Sequence, residues 1–519
     1  MTDQVTPEEI REQLARLRAS DLFASSPQLV NFLDYVVEER LAGREAEIKG
    51  YTIAVEALGR PPEFDPQVDP IVRVEARRLR RTLRVYYSGA GAHDPIVISM
   101  PTGGYSPTFH RGRRAAEIAT PTMSAPAVAA RAAIEATLPT VWFPPLLTKN
   151  GSFAPANDLI GHLILPFARF DEVRVIGLSA PPPERESDVY LVRGRTVIRD
   201  NVESRVTAAL LAPQTRDILV ARSMPMSQRG EDGGEAMIPD PAAVRQFAID
   251  VARPLGVIGA DILAQPDSGA SRRWLHAMLT YWRGISPGTH LRARTEMRAA
   301  TTHGKVGALV QAYLAFLAID ERRNGFNPES GDALDRALTH ARAAVTAAPA
   351  SARAQQALMD ALFMRGQDED AHIAAARAIM LNPFDVDILA EYGAWLVQTG
   401  SVAQGREKLL TAAAALPVRA PWHDFYLVLS ALLLDDPDAA RRHAEVTVSD
   451  RDRMSLLLRL LAAKATGEDE QARAHARSLI ALDASYATDL RGMLSRRRFT
   501  PAILDWLTEQ LESVLKPVP

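Results

Sequence analysis

Three prolines, Pro349, Pro383 and Pro417, recur at intervals of 34 residues, and each closes an alanine-rich tail: ARAAVTAAP, ARAIMLNP and LLTAAAALP. Proline has no backbone N–H and cannot continue a helix, so each marks the end of one. A unit of this length holds two short helices and their turns. One such unit cannot bury its apolar face alone, so neighbours must stack. The spacing therefore predicts a solenoid of helix pairs from residue 271 onward. A weaker echo, ARSLIALDA at residues 476–484, continues it. Residues 271–330 and 418–515 are expected to be related pairs with drifted sequences. Trp274, Trp282, Tyr313, Phe316, Tyr392 and Trp395 are expected to pack between helices.

The stretch over residues 332–416 resembles the tetratricopeptide repeats, which have this period. The resemblance implies a concave face for a peptide or protein; a homodimer contact is the equal alternative.

A chain of 519 residues exceeds one hydrophobic core and predicts three or four domains. Its net charge of -3 excludes a uniformly basic nucleic-acid coat, so any DNA contact must be a local patch. Cysteine is absent, which excludes disulfides, thiolate catalysis and cysteine-ligated metals. The first twenty residues lack a signal-type apolar core, and no run of about eighteen apolar residues is present. A cytoplasmic protein without a membrane span is expected. Neither a phosphate-binding glycine loop nor a serine elbow occurs. The acidic residues at 368–370 and 435–436 lack a histidine at metal-ligand spacing and are expected to be structural. His423 and Asp424 read as a loop pair. No catalysis, metal or cofactor is expected.

The N-terminal region carries the chemistry. Asp69 and Pro70 suit a helix start. Val72, Ala76, Leu79, Leu83 and Tyr86 then fall on one face. Arg73, Arg77, Arg80, Arg81 and Arg84 lie outside that seam; with Arg78 they make six arginines in twelve residues, against one Glu75. PIVISM, a Pro-Thr-Gly-Gly turn and Tyr105 read as two short strands. Helices at 7–19, 26–41 and 51–58 precede this pair. A basic helix followed by a hairpin predicts a winged helix on duplex DNA; a protein interface or an ordinary solvated face is the alternative.

SPQLVNFLDYVVEERLAGR, IKGYTIAVEALGRPPEFDPQVDPIVRVEARRLRRTLRVYY and DPIVISMPTGGYSPTF resemble an N-terminal domain of bacterial regulatory proteins, one often fused to adenylate-cyclase-like or repeat-containing partners. The resemblance covers residues 20–110. It implies a winged-helix-like regulatory module and no cyclase activity. On that basis Arg73, Arg77, Arg80, Arg81 and Arg84, helped by Arg78, are expected on phosphates, with Thr102 and Tyr105 of the wing on the backbone. Tyr86, Tyr87 and Phe109 are expected in the packing. Arg60 is read either as a phosphate residue or as support.

Residues 111–137, rich in Ala, Thr and Pro, read as a linker. Beyond them LPTVWFPPL, LILPFARFDEVRVIG, DVYLVRGRTVI and SRVTAALLAPQTRDILVARS resemble the amino-terminal-type domain of TolB over residues 138–265. That resemblance implies a ligand-binding, partner-binding or structural role. The expected fold is thus multidomain α+β: an N-terminal winged helix (5–110), a central small α/β domain (138–265) and a C-terminal α-helical tetratricopeptide-like solenoid (270–515). The expected function is a bacterial transcriptional regulator, homodimeric on DNA, with sensing or protein-recruiting C-terminal domains. The alternative is a non-DNA scaffold or signalling adaptor that binds proteins through its repeats and basic surface.

Overall fold

The computed structural model describes residues 5–20, 23, 26–61, 64, 69, 71–88, 91, 94–101, 104–111, 138–144, 157–177, 189–198, 204–229, 236–265, 272–302, 307–416, 419–446 and 452–515. Most of the expected linker, Thr102 and Pro417 lie outside them. The chain is mostly helical and multidomain, with an N-terminal mixed α/β region and a C-terminal run of closely packed helix pairs resembling a solenoid. Two compact units divide it: Met1–Ser124 with His372–Met380, and Ala125–Ala371 with Leu381–Pro519. Among the described residues, no helix is long and apolar enough to cross a membrane.

In the first unit, α1 spans Pro7–Ala19 and α2 Pro27–Leu41. Thr6 and Glu9 cap α1 reciprocally: the Glu9 N–H donates to the Thr6 hydroxyl, and the Thr6 N–H to the Glu9 carboxylate. Helix α3 is a single turn, Gly50–Thr52, that widens into a π-helical turn over Ile53–Ala57. The basic helix α4 spans Ile71–Ser88 and starts where the Asp69 carboxylate accepts from the Ile71 N–H at 2.9 Å. Its seam, Val72, Ala76, Leu79, Leu83 and Tyr86, is buried with Leu14 and Leu17 of α1 and Phe32 and Val36 of α2. This is the face that the spacing predicts. Strands β1 (Ile96–Ser99) and β2 (Thr108–Arg111) pair antiparallel. The second strand begins after Tyr105, which lies in the connecting loop. The loop carbonyls of Met100, Pro101 and Gly104 face the Arg80 guanidinium instead of a ladder partner.

In the second unit a six-stranded sheet has the order β4-β3-β5-β6-β7-β8. Strand β3 (Thr140–Trp142) runs parallel to β4 (Arg174–Ile176) and to β5 (Tyr190–Ile198). Parallel neighbours need a crossover, and helix α5 (Asn157–Phe167) lies between β3 and β4 in the chain. Strands β6 (Ser204–Leu211), β7 (Ile218–Arg229) and β8 (Ala236–Pro239) continue antiparallel. Asp240 caps α6 (Pro241–Ala252) and precedes α7 (Val257–Ala264). Phe167 of α5 touches both Phe143 and Phe247, at ring separations of 5.2 and 5.6 Å.

The helical array runs α8 (Arg273–Arg283), α9 (Pro287–Thr302), α10 (Ala308–Asn324), α11 (Ala333–Ala347), α12 (Ala352–Met364), α13 (Asp368–Leu381), α14 (Val386–Gln398) and α15 (Val402–Ala415). It continues as α16 (Pro421–Leu433), α17 (Pro437–Val446), α18 (Arg453–Ala465) and α19 (Asp469–Leu482). Two short helices, α20 (Ser485–Thr488) and α21 (Leu490–Ser495), lead to α22 (Pro501–Leu515). One turn recurs between paired helices: Gly366, Gly400, Asp435 and Gly467 are left-handed. After each, the next N–H reaches back five residues, from Gln367 to Leu362, Ser401 to Leu396, Asp436 to Ala431 and Glu468 to Ala463. This is the bond pattern that closes a helix end through a left-handed residue. The repeat thus extends beyond the last proline of the sequence ruler. Trp395 stacks on Phe363 at 4.4 Å, and Trp282 meets Tyr313 edge-on at 5.1 Å, as expected of packing residues.

Asp435 holds the left-handed turn at φ 57, where a Cβ is penalised and glycine is not. Asp435→Gly is therefore expected to raise unfolding stability by about 0.5–1 kcal/mol. A Cβ on Gly405 would fall 2.6 Å from the Gly393 carbonyl oxygen, so Gly405→Ala must push α14 and α15 apart and lower stability. Urea-unfolding midpoints of the two variants, moving in opposite directions, check both statements.

Candidate functional site

Helix α4 presents its arginines unequally. Arg73 and Arg78 are exposed, and Arg78 lies 3.6 Å from the buried carboxylate of Glu75. Arg80 is turned inward: its Nε faces the Met100 and Pro101 carbonyls at 3.2 Å, and its Nη2 donates to the Gly104 carbonyl at 2.7 Å. It fastens the hairpin loop onto the helix. The backbone places Arg77, Arg81 and Arg84 on α4, while their side chains lie outside the described set. Thr102 also lies outside it. Tyr105 is half-buried and packs on the core, its ring 6.3 Å from Phe32, so the ring serves the fold. Of the expected contact residues, the structure shows Arg73 and Arg78 facing solvent, and Arg80 holding the loop.

The tyrosines beyond the arginines are structural, as expected. The Tyr86 hydroxyl donates to Asp94 at 2.8 Å, and burial with that carboxylate pushes its pKa up to about 12. The Ile98 N–H donates to the Tyr87 hydroxyl at 2.9 Å, tying α4 to β1. Burial raises the Tyr87 pKa further. Arg60 sits 3.9 Å from Asp69, beside the start of α4.

The acidic and histidine candidates also resolve into structure. Asp368 holds Arg498, and Asp436 accepts from Arg406 and from the Ala439 N–H at the start of α17. His423 and Asp424 are not a loop pair: both are buried in α16, which Pro421 opens. Burial, with Arg419 and Arg253 nearby, lowers the His423 pKa to about 3, so the ring is neutral. Among the described residues, no group of three or more His, Asp or Glu side chains is placed to hold a metal ion.

A buried charge network absent from the sequence reading joins the sheet to the array within the second unit. Arg353 of α12 is 3% exposed, which makes every missing partner costly. Its Nε donates to Glu172 and its Nη2 to Asp385, both at 2.7 Å, and a third nitrogen donates to Gln356. Glu172 also accepts from the Tyr313 hydroxyl at 3.0 Å. The neighbouring Asp171 accepts from the Ser351 hydroxyl at 2.9 Å and from the Arg353 N–H at 2.8 Å. Asp171 and Glu172 lie just before β4; Ser351 and Asp385 precede α12 and α14. The only sequence trace is an acidic pair following Phe170 and an arginine near the start of an alanine-rich helix.

Comparison with protein families and with curated proteins adds no assignment: no family model matches the chain, and no curated protein matches it.

Asp171 titrates with the fold. Burial first, then the adjacent Glu172 charge, raises its pKa from 3.8 to about 6. A raised folded-state pKa gives stability that is full below the unfolded value and is lost as pH rises through the folded one. Asp171→Asn keeps one carbonyl acceptor and removes the titration. Its stability relative to wild type is expected to improve as pH rises from 3.8 to about 6, read by thermal unfolding across that range.

Proposed function

We propose that the chain is a regulatory scaffold or adaptor that captures a protein partner through its helical repeats and performs no catalysis itself. The observation that carries this reading is the run α8–α19 with its recurring left-handed turn, since stacked helix pairs present extended surfaces of the kind used for binding peptides and proteins. Sequence resemblance to tetratricopeptide repeats supports the same reading. The sheet domain, with its TolB-like sequence blocks, serves as a rigid support for the array through Arg353 and Glu172. We take the protein to be a cytoplasmic bacterial regulator, homodimeric in action.

A second reading has one specific observation behind it. Arg73 and Arg78 are exposed on α4, outside its buried seam, and Arg80 holds a hairpin loop on the same flank as Arg73. With the N-terminal sequence resemblance, this favours a winged-helix module on duplex DNA. Phosphate contacts would then come from the exposed arginines, while Arg80 sets the hairpin position.

Photo-crosslinkers at Leu410 and Leu482, 40% and 45% exposed on the array, test the first reading. In cells, adducts with another protein are expected at both positions; none at either contradicts it. Gel shifts of duplex DNA at stepped salt test the second. Arg73→Ala with Arg78→Ala is expected to weaken binding and to reduce the salt slope by about one per lost phosphate contact. No shift by the wild-type protein at low salt removes the DNA reading.

A further inference from the structure

Residues 495–500, SRRRFT, link α21 to α22. Three successive arginines would ordinarily face water. Here Arg496, Arg497 and Arg498 are all half-buried, and Phe499 is buried. Arg497 reaches Asn324 at the end of α10, at 3.5 Å. Arg498 engages Asp368 at the start of α13 through both terminal nitrogens, one bond measuring 2.9 Å. Its guanidinium also lies 5.1 Å from the Phe363 ring centre. The Thr500 N–H donates to the Gln398 carbonyl at the end of α14, at 2.9 Å.

The residues alternate along a row of turns. A Cβ on Gly325 would lie 2.5 Å from Arg496, one on Gly366 3.7 Å from Arg498, and one on Gly400 4.0 Å from Thr500. Every second residue of the segment therefore meets a later turn. All three glycines have positive φ, so glycine both forms the turn and leaves the approach open. The edge supplies a carboxylate, an amide oxygen, an aromatic face and a backbone carbonyl. A carboxylate gripped by two nitrogens favours arginine over lysine, whose ammonium cannot form that fork.

We propose that this turn edge is a docking site for an arginine-bearing segment of a protein partner, and that residues 496–500 are its resident occupant. This rests on the reading of the repeats as protein-binding and names the partner's chemistry. The tethered segment has a high effective concentration, so a free peptide meets a filled edge. A partner gains access by presenting alternate arginines together with contacts elsewhere on the array. Weakening the resident segment opens the same edge.

The test uses the full chain and a fluorescent synthetic peptide, SRRRFTPA, followed by anisotropy. Arg498→Ala is expected to bind it at least about tenfold more tightly than wild type, a difference of roughly 1.4 kcal/mol. Adding Asp368→Ala to that variant is expected to abolish the gain, and a peptide with lysine at all three arginine positions is expected to bind weakly. Circular dichroism checks folding. Arg498→Lys, which keeps the charge and loses the fork, supplies a milder variant and is expected to bind peptide between wild type and Arg498→Ala. Equal binding by wild type, both Arg498 variants and the double variant overturns the proposal, as does a lysine peptide that binds as well as the arginine one. Absence of peptide binding with array crosslinks retained overturns the arginine site and leaves the protein-binding reading standing.

Discussion

Arg353 is the interaction on which the second unit depends. Its guanidinium is almost wholly removed from water and is shared among Glu172, Asp385 and Gln356. Such a charge is tolerated only when its donors are satisfied, because desolvation alone costs several kcal/mol. The geometry meets that demand by drawing one carboxylate from the loop before β4 and another from the start of α14. The sheet and the array therefore cannot slide past one another without uncovering charge. Loss of either carboxylate would leave the Arg353 charge buried and incompletely paired. The titration of Asp171 and the hydroxyls of Tyr313 and Ser351 belong to the same arrangement.

Arginine in this chain serves as a structural connector more often than its frequency in α4 suggests. Arg80 fixes a loop, Arg353 joins sheet to array, and Arg498 fastens the C-terminal segment to the start of α13. Each uses the planar fork to bind several oxygens at once, which an ammonium does less well. The arginines of α4 are thus placed differently: Arg80 holds the hairpin loop, and Arg73 and Arg78 are exposed. An arginine that holds the hairpin is unavailable as a free phosphate contact, so any nucleic-acid surface must be built from the residues that remain exposed beside it.

Local spacing made much of the fold legible. The seam from Val72 to Tyr86 sits on one buried face because helical periodicity alone determines it. The proline interval located the repeats, and the recurring turn shows why they persist after Pro417: Gly467 and Asp435 adopt the conformation of Gly366 and Gly400. His423 and Asp424 read as a loop pair, whereas Pro421 opens a helix that buries both. What stayed hidden depends on distance along the chain. Arg353 and Asp171 meet across 182 residues, and Arg498 and Asp368 across 130. No local pattern encodes those pairings. The contacts of Arg80 with the hairpin-loop carbonyls likewise span twenty residues or more.

Native-state hydrogen exchange tests the central role of this network most directly. If Arg353 couples sheet and array, amides of β3–β5 and of α12 and α14 should open with one common free energy in wild type. In Arg353→Ala the β3–β5 amides should exchange at much lower cost than those of α16 and α18. Equal protection of these segments in the variant, unchanged from wild type, would contradict the coupling.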